Sequence, residues 1–382
     1  MKAISAVLVL AMNVAALAAA PVPTEGLGLS VRADGALVKD GKPYRGIGVN
    51  FFDAFYRTLL KPGDTSYEAG FKVLADHQIP FARFMCSGFW PGHMKLYRED
   101  KARYFELLDG VVRSAEKQGI GLIPSLFWFR STAPDLAGEP CDQWGNPQSK
   151  THDFLRTYTR EVVARYKASP AIWGWEFGNE YNLDADLPNA AAHRPPVQPK
   201  LGTPASRSAR DEVSHDMVRT AFAEFAKEVR RHDPHRFITS GNAFPRPSAW
   251  HQRTEKSWKT DTPEQYAEML LADNPDPVNV LSVHAYKGDV GRIRPTMGIA
   301  ARAKKPLFIG EFGVPGGPSP QTEKEFAEML ATIEREGVPL AALWVFDYGG
   351  QDELSVTATN GRAWQLKAVA GANARIRAAE RQ

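Results

Sequence analysis

Eight short apolar runs alternate with eight helical stretches, and this alternation limits the fold more than any other feature of the chain. The runs are residues 46–51, 80–85, 121–127, 171–177, 236–240, 278–284, 306–311 and 340–346. The helical stretches are 67–77, 101–118, 152–166, 211–232, 262–272, 290–303, 322–336 and 363–379. Helical spacing puts Phe71, Leu74 and Ala75 on one face, and likewise Leu107, Leu108, Val111 and Val112. Gly119 closes one helix and Ser169-Pro170 follows another. Strands separated by helices at this spacing run parallel. Eight such pairs predict closure into a single (β/α)8 TIM barrel. Ahead of it, residues 29–45 read as an N-terminal β-hairpin. Val31, Ala36 and Val38 carry strand character there, and Asp34-Gly35 and Asp40-Gly41 are turn dipeptides. Such a hairpin can plug the bottom of a barrel.

Residues 1–20 read as a secretory signal. Lys2 supplies the positive start, residues 3–17 are apolar apart from Ser5 and Asn13, and small alanines precede Pro21. The run is short for a bilayer span, so cleavage and a secreted or periplasmic location are expected, with 21–382 as one catalytic barrel. With Lys2 gone, 46 basic residues face 44 acidic ones, and no block of like charge occurs. Nucleic acid and strong membrane attraction are therefore unsupported as partners. No transmembrane span is expected, and the working form is expected to be a monomer. The two cysteines, Cys86 and Cys141, follow neighbouring strands. Export permits a disulfide, and two separate buried thiols are the equal alternative. No Cys-x-x-Cys or His-rich cluster suggests a metal, and no cofactor motif is present.

In a parallel barrel the chemistry sits at the C-terminal ends of the strands. Those ends carry Asn50, Arg83, Trp128, Asn179, Glu180, His284, Tyr286, Glu311 and Trp344. Glu180 ends the fourth run and Glu311 the seventh, 131 residues apart. Those strands face each other across the mouth. Two carboxyl groups so placed can cleave a glycosidic bond: one protonates the leaving oxygen while the other attacks the sugar carbon. The alternative is a pair of ordinary surface glutamates. That alternative explains poorly why each follows an apolar run beside glycine.

The neighbours fit the same chemistry. The Asn179 amide can bond a sugar 2-hydroxyl. Arg83 interrupts Phe81-Ala82-Arg83-Phe84-Met85, where it can hold Glu311 ionised or form a structural ion pair. His284 and Tyr286 share one strand face by period two. Tyr286 can donate to the attacking carboxylate, and His284 can bond the acid or the substrate. His-Ala-Tyr is not a His-x-His metal pattern, so no metal is implied. Aromatics crowd the rim: Phe52, Trp90, Trp128, Trp144, Tyr181, Phe244, Trp250, Trp258, Trp344 and Tyr348. Flat rings suit the C–H faces of sugars. Residues 181–210 form a long proline-rich connection that either covers the site or is a disordered excursion.

Taken together, Asn179-Glu180, Gly310-Glu311-Phe312-Gly313, Arg83, His284-Ala285-Tyr286 and Trp344 occur in an order that resembles clan A glycoside hydrolases, most closely family 5. The resemblance covers the whole mature chain. It implies Glu180 as acid/base, Glu311 as nucleophile, retention of anomeric configuration, and Trp344 as the floor of the subsite where the bond breaks. The implied substrate is a β-linked glycan of β-1,4-mannan or β-glucan type. Many members have a histidine at the end of the third strand, where this chain reads Phe127-Trp128-Phe129. A transglycosylase or a non-catalytic glycan-binding protein on the same scaffold remains an alternative. Retention predicts carboxyl groups about 5–5.5 Å apart.

Overall fold

The computed structural model describes residues 26–380. The expected signal segment lies outside the described residues. Three short strands, β1 (Leu29–Val31), β2 (Leu37–Lys39) and β3 (Lys42–Pro43), form an antiparallel sheet in the order β1-β2-β3. The expected hairpin is therefore β1–β2 with a third strand added, because the chain turns again at Asp40-Gly41 and Val38 pairs with Pro43.

Eight parallel strands follow: β4 (Gly46–Asn50), β5 (Phe81–Met85), β6 (Gly121–Phe127), β7 (Gly174–Gly178), β8 (Phe237–Thr239), β9 (Leu281–Ala285), β10 (Leu307–Phe312) and β11 (Leu340–Leu343). Their order is β8-β7-β6-β5-β4-β11-β10-β9. A lone parallel bridge, Thr239 with Val280, joins the two ends of that order and completes the ring. Helices between the strands pack outside, so the fold is the (β/α)8 barrel that the alternation predicts.

Period two sorts the strand residues between two layers. On β7, Trp175 and Phe177 join the large core between sheet and helices, while Glu176 points to the barrel interior. Leu29, Leu37, Phe81, Ile123, Trp173 and Phe308 form a separate apolar cluster at the bottom. Leu29 N–H donates to Trp173 O at 2.9 Å, which ties the small sheet to that end as a plug.

Element ends differ from the expectation where caps intervene. The helix expected over 211–232 begins at His215 because the Ser214 hydroxyl caps it, accepting from Met217 N–H. The last strand stops at Leu343 and not at 346, and Phe346 instead forms a bridge with Val356. Short helices at Tyr56–Leu60, Thr132–Ala137 and Ala249–Glu255 were not evident from periodicity, being too short to show one. No helix among the described residues is long and apolar enough to cross a membrane. Cys86 and Cys141 are both buried free thiols, which decides between the two alternatives.

Candidate active site

Arg83 is the centre of the arrangement. It is wholly buried on β5, a costly place for a charge unless every donor finds a partner. Its Nε donates to Glu176 Oε1 at 2.8 Å, and its Nη1 to Glu311 Oε1 and Asn50 Oδ1, both at 2.9 Å. Its Nη2 donates to Asn179 Oδ1 at 2.8 Å. The guanidinium also lies 4.5 Å from the Trp128 ring centre. Both readings of Arg83 are thus realised at once: it bonds Glu311 and forms a structural ion pair with Glu176.

Glu311 reaches the mouth through a break in register. Pairing between β10 and β9 shifts between Ile309 and Glu311, which sets Glu311 opposite His284. Such a bulge re-aims a side chain. Gly310 permits it: a Cβ there would come within 2.9 Å of His284 Nε2. Tyr286 donates its hydroxyl to Glu311 Oε2 at 2.6 Å, so both carboxylate oxygens have a donor.

Glu180 follows β7 in the left-handed region, φ 55°, its N–H donating to Gly241 O at 2.9 Å. A non-glycine residue held there is worth a functional question. His284 Nδ1 lies 2.8 Å from Glu180 Oε1 and 3.6 Å from Glu311 Oε2. One donor atom each of Glu180, His284 and Glu311 lies within 4.8 Å of the others. The same trio has the spacing to hold a metal ion, although each member already has a protein partner. One oxygen of each carboxyl group thus lies within 4.8 Å of an oxygen of the other, on the short side of the roughly 6.5–9.5 Å that separates the carboxyl groups of an inverting pair.

The surroundings separate the two acids. The Glu180 side chain is 32% exposed and the Glu311 side chain 5%. Burial raises the Glu180 carboxyl above its ordinary range, with Arg83 pulling the other way and Asp184 adding to the rise. Burial lowers His284 to about 3, against the pull of Glu311, so its ring is neutral at ordinary pH. Burial and Glu311 hold the Tyr286 hydroxyl well above its usual value, and it stays a donor. Burial raises Glu176 too, opposed by Arg83.

Not every residue expected to bind substrate is placed to touch it. Asn50 is fully buried; its amide donates to Gly310 O at 2.9 Å while its oxygen accepts from Arg83. Asn50 and Arg83 therefore lie beneath the floor as supports, because satisfying a buried guanidinium consumes both. Asn179 keeps its amide nitrogen available at the surface of the pocket, its oxygen being used by Arg83.

Trp128 and Trp344 stack at 6.1 Å with Phe52, Tyr286 and Tyr348 around them, and Trp344 Nε1 donates to Gln351 Oε1 at 2.6 Å. Trp144 and Tyr181, expected at the rim, are instead buried in the core against Phe177. Phe244 is also buried, and only Trp258 stands well out in solvent.

A pocket lined by Phe89, Trp128, Phe129, Arg130, Asn179, Glu180, Leu183, Asp184 and Arg246 opens beside Glu180. Residues 181–210 form one wall. They are built from 3-10 turns at Tyr181–Asp184, Ala190–His193, Pro199–Leu201 and Ala209–Asp211. Ion pairs tie them to neighbouring loops: Arg130 to Asp184, and Arg207 to Asp135 at 2.6 Å. The connection is thus a built strap.

Glu176 is the site residue that sequence reasoning passed over. The signal was present, since it is a lone acid in the apolar run Trp173-Gly174-Trp175-Glu176-Phe177, the same kind of anomaly that picks out Arg83.

A profile of the Cellulase (glycosyl hydrolase family 5) family matches residues 39–350. The Probable mannan endo-1,4-beta-mannosidase F of Aspergillus flavus is 35% identical over 80 residues, 19% of this chain and 17% of its own length. The Probable mannan endo-1,4-beta-mannosidase A of Aspergillus clavatus is 31% identical over 168 residues, 38% of this chain and 46% of its own. The chain thus spans less than half the length of either relative. The endo-1,4-beta-mannanase structure from Rhizomucor miehei superposes over 91% of this chain and 99% of that one, with TM-score 0.66 at 16% identity, a likeness of fold.

Proposed function

The chain belongs to glycosyl hydrolase family 5, the cellulase family, and from that premise we propose that it is an exported retaining glycoside hydrolase acting on β-1,4-mannan. The observation that carries the mechanism is the approach of Glu180, His284 and Glu311 to within 4.8 Å of one another. The mannan reading is supported by the partial matches to fungal mannan endo-1,4-beta-mannosidases.

In the first step a Glu311 oxygen attacks the anomeric carbon as the bond from that carbon to the leaving oxygen breaks. The Glu180 carboxyl gives its proton to the departing oxygen and becomes a carboxylate. Glu311 is now a neutral glycosyl ester. In the second step Glu180 takes a proton from water, the water oxygen joins the anomeric carbon, and Glu311 leaves as a carboxylate. Arg83 and Tyr286 orient Glu311, and His284 orients Glu180. Trp128 lines the pocket beside Glu180 with Trp344 stacked behind it, an apolar surface suited to a sugar face.

The test is reducing-end release from β-mannan, β-glucan and xylan, with the anomer of the first product read by NMR. Mannan preference and a β product are expected. Glu311→Ala should lower turnover on the order of 10⁴-fold or more while the protein melts as a folded barrel. Turnover persisting in that variant removes Glu311 as nucleophile. A preference for β-glucan returns the cellulase-type reading.

A further inference from the structure

Glu176 lies below the reacting groups and takes no part in either bond-making step. Its carboxyl and that of Glu311 flank one guanidinium, at 2.8 and 2.9 Å. All three side chains are 0 to 5% exposed. Among the described residues these are the only ion pairs of Arg83. Its other side-chain partners, Asn50 and Asn179, are neutral.

The reaction changes this balance. Once Glu311 becomes an ester its negative charge is gone. The charge reappears on Glu180, which bonds His284 and not Arg83. A buried guanidinium stripped of its only anion would be strongly disfavoured. Here it would keep Glu176.

We propose that Glu176 is a positioning residue that serves as the standing counter-ion of Arg83, stabilising the glycosyl-enzyme stage at which Glu311 carries no charge. This rests on the double-displacement reading above. Glu176 never touches substrate; it acts through Arg83. In the resting state Arg83 has two anions, and in the ester state it has one, so the buried cation is paired throughout.

The consequence is asymmetric between the steps. Without the Glu176 charge, forming the ester leaves Arg83 unpaired, so glycosylation slows. Hydrolysing the ester restores the Arg83–Glu311 pair, so deglycosylation does not slow. A side chain that merely held the site in shape would slow both.

The probe is 2-deoxy-2-fluoro-β-mannosyl fluoride, used on the full-length protein and its Glu176→Gln variant. Mass spectrometry follows adduct formation, and recovery of activity after removing the reagent follows its breakdown. In Glu176→Gln, adduct formation should fall roughly 10- to 100-fold, the worth of one charge-assisted hydrogen bond, while recovery is unchanged or faster. Equal slowing of both steps overturns the proposal. If the parent protein forms no adduct on Glu311 with either this reagent or its β-glucosyl counterpart, it is the double-displacement reading that fails.

Should Glu176→Gln fail to fold, Glu311→Gln carries the test, because it neutralises the same charge as the ester does. With Glu176 in place that variant should fold and melt within a few degrees of the parent. Unfolding on neutralisation of Glu311 alone would show that Glu176 does not sustain Arg83, and would sink the idea.

Discussion

His284 Nδ1 stands 2.8 Å from Glu180 Oε1, and the two atoms can share only one proton. Burial raises Glu180 and lowers His284 to about 3, so both environments favour an uncharged pair. A carboxyl kept protonated above its ordinary 4.5 can serve as the acid for a leaving alkoxide. The basic limb of kcat/KM should therefore fall above that value and be set by Glu180. Glu180→Gln should lose the basic limb and slow mannan cleavage by about 10²- to 10⁴-fold. Aryl mannosides with good leaving groups should lose far less in the first step. An unchanged basic limb in the Gln variant would assign the acid to another group.

Tyr286 and Glu311 give a second prediction. The Tyr286 hydroxyl is the donor to Glu311 Oε2, and Arg83 serves the other oxygen. Tyr286→Phe removes one oxygen atom and leaves the ring in its aromatic cluster. Loss of a hydrogen bond to a charged group should lower kcat roughly 10- to 100-fold with little change in KM. Steady-state kinetics on mannan oligosaccharides measures both. A change in KM alone would mean that Tyr286 holds substrate and not the nucleophile.

Much of this was legible in the chain. Eight runs and eight helical stretches specified the barrel, because strand and helix periods differ and parallel strands need crossovers. Glu180 and Glu311 stood out as acids ending apolar runs. The structure brings them together with His284, Tyr286, Arg83, Asn179, Trp128 and Trp344. Depth was not legible. Asn50 ends β4 while Arg83, expected at a strand end, is the middle residue of β5, and which layer such a residue occupies depends on barrel stagger. Trp144 and Tyr181 fall near loops in sequence and yet fill the core, since loop segments fold back in ways that periodicity does not encode. Glu176 was visible as an anomaly, but its partner lies 93 residues away.

The neutral, buried His284 carries a stability cost in acid. Its folded value, about 3, is below the ordinary 6.5. The unfolded chain takes a proton as pH falls through 6.5, while the folded one does so only near 3. This contribution is fully present above 6.5 and is lost as pH falls toward 3, by about 3 kcal/mol at pH 4 as an upper bound. The raised Glu180 works in the opposite sense, so the comparison belongs in a Glu180→Gln background. There, His284→Gln should flatten the fall of denaturation midpoint between pH 6.5 and 4. An equal slope with and without His284 would show that its ring exchanges no extra proton on unfolding.

The strap over residues 181–210 predicts a product pattern. It walls the pocket beside Glu180 through Leu183 and Asp184, and Arg130 holds it by pairing with Asp184 and donating to His193 O. A wall fixed at one end of a cleft limits how many sugar units can lie beyond the cleavage point. Arg130 lies close to Trp128, so its replacement tests the wall only alongside a change made within the strap. Shortening the strap between Leu187 and Thr203 leaves both the Asp184 contact and the pocket residues in place. Longer products from mannan, and attack on longer oligosaccharides relative to short ones, are then expected by chromatography of early digests. Arg130→Ala should shift the pattern in the same direction but less, since Arg207 still pairs with Asp135 at the far end of the strap. A product ladder identical to the parent's in both variants would mean that chain length is set elsewhere in the cleft.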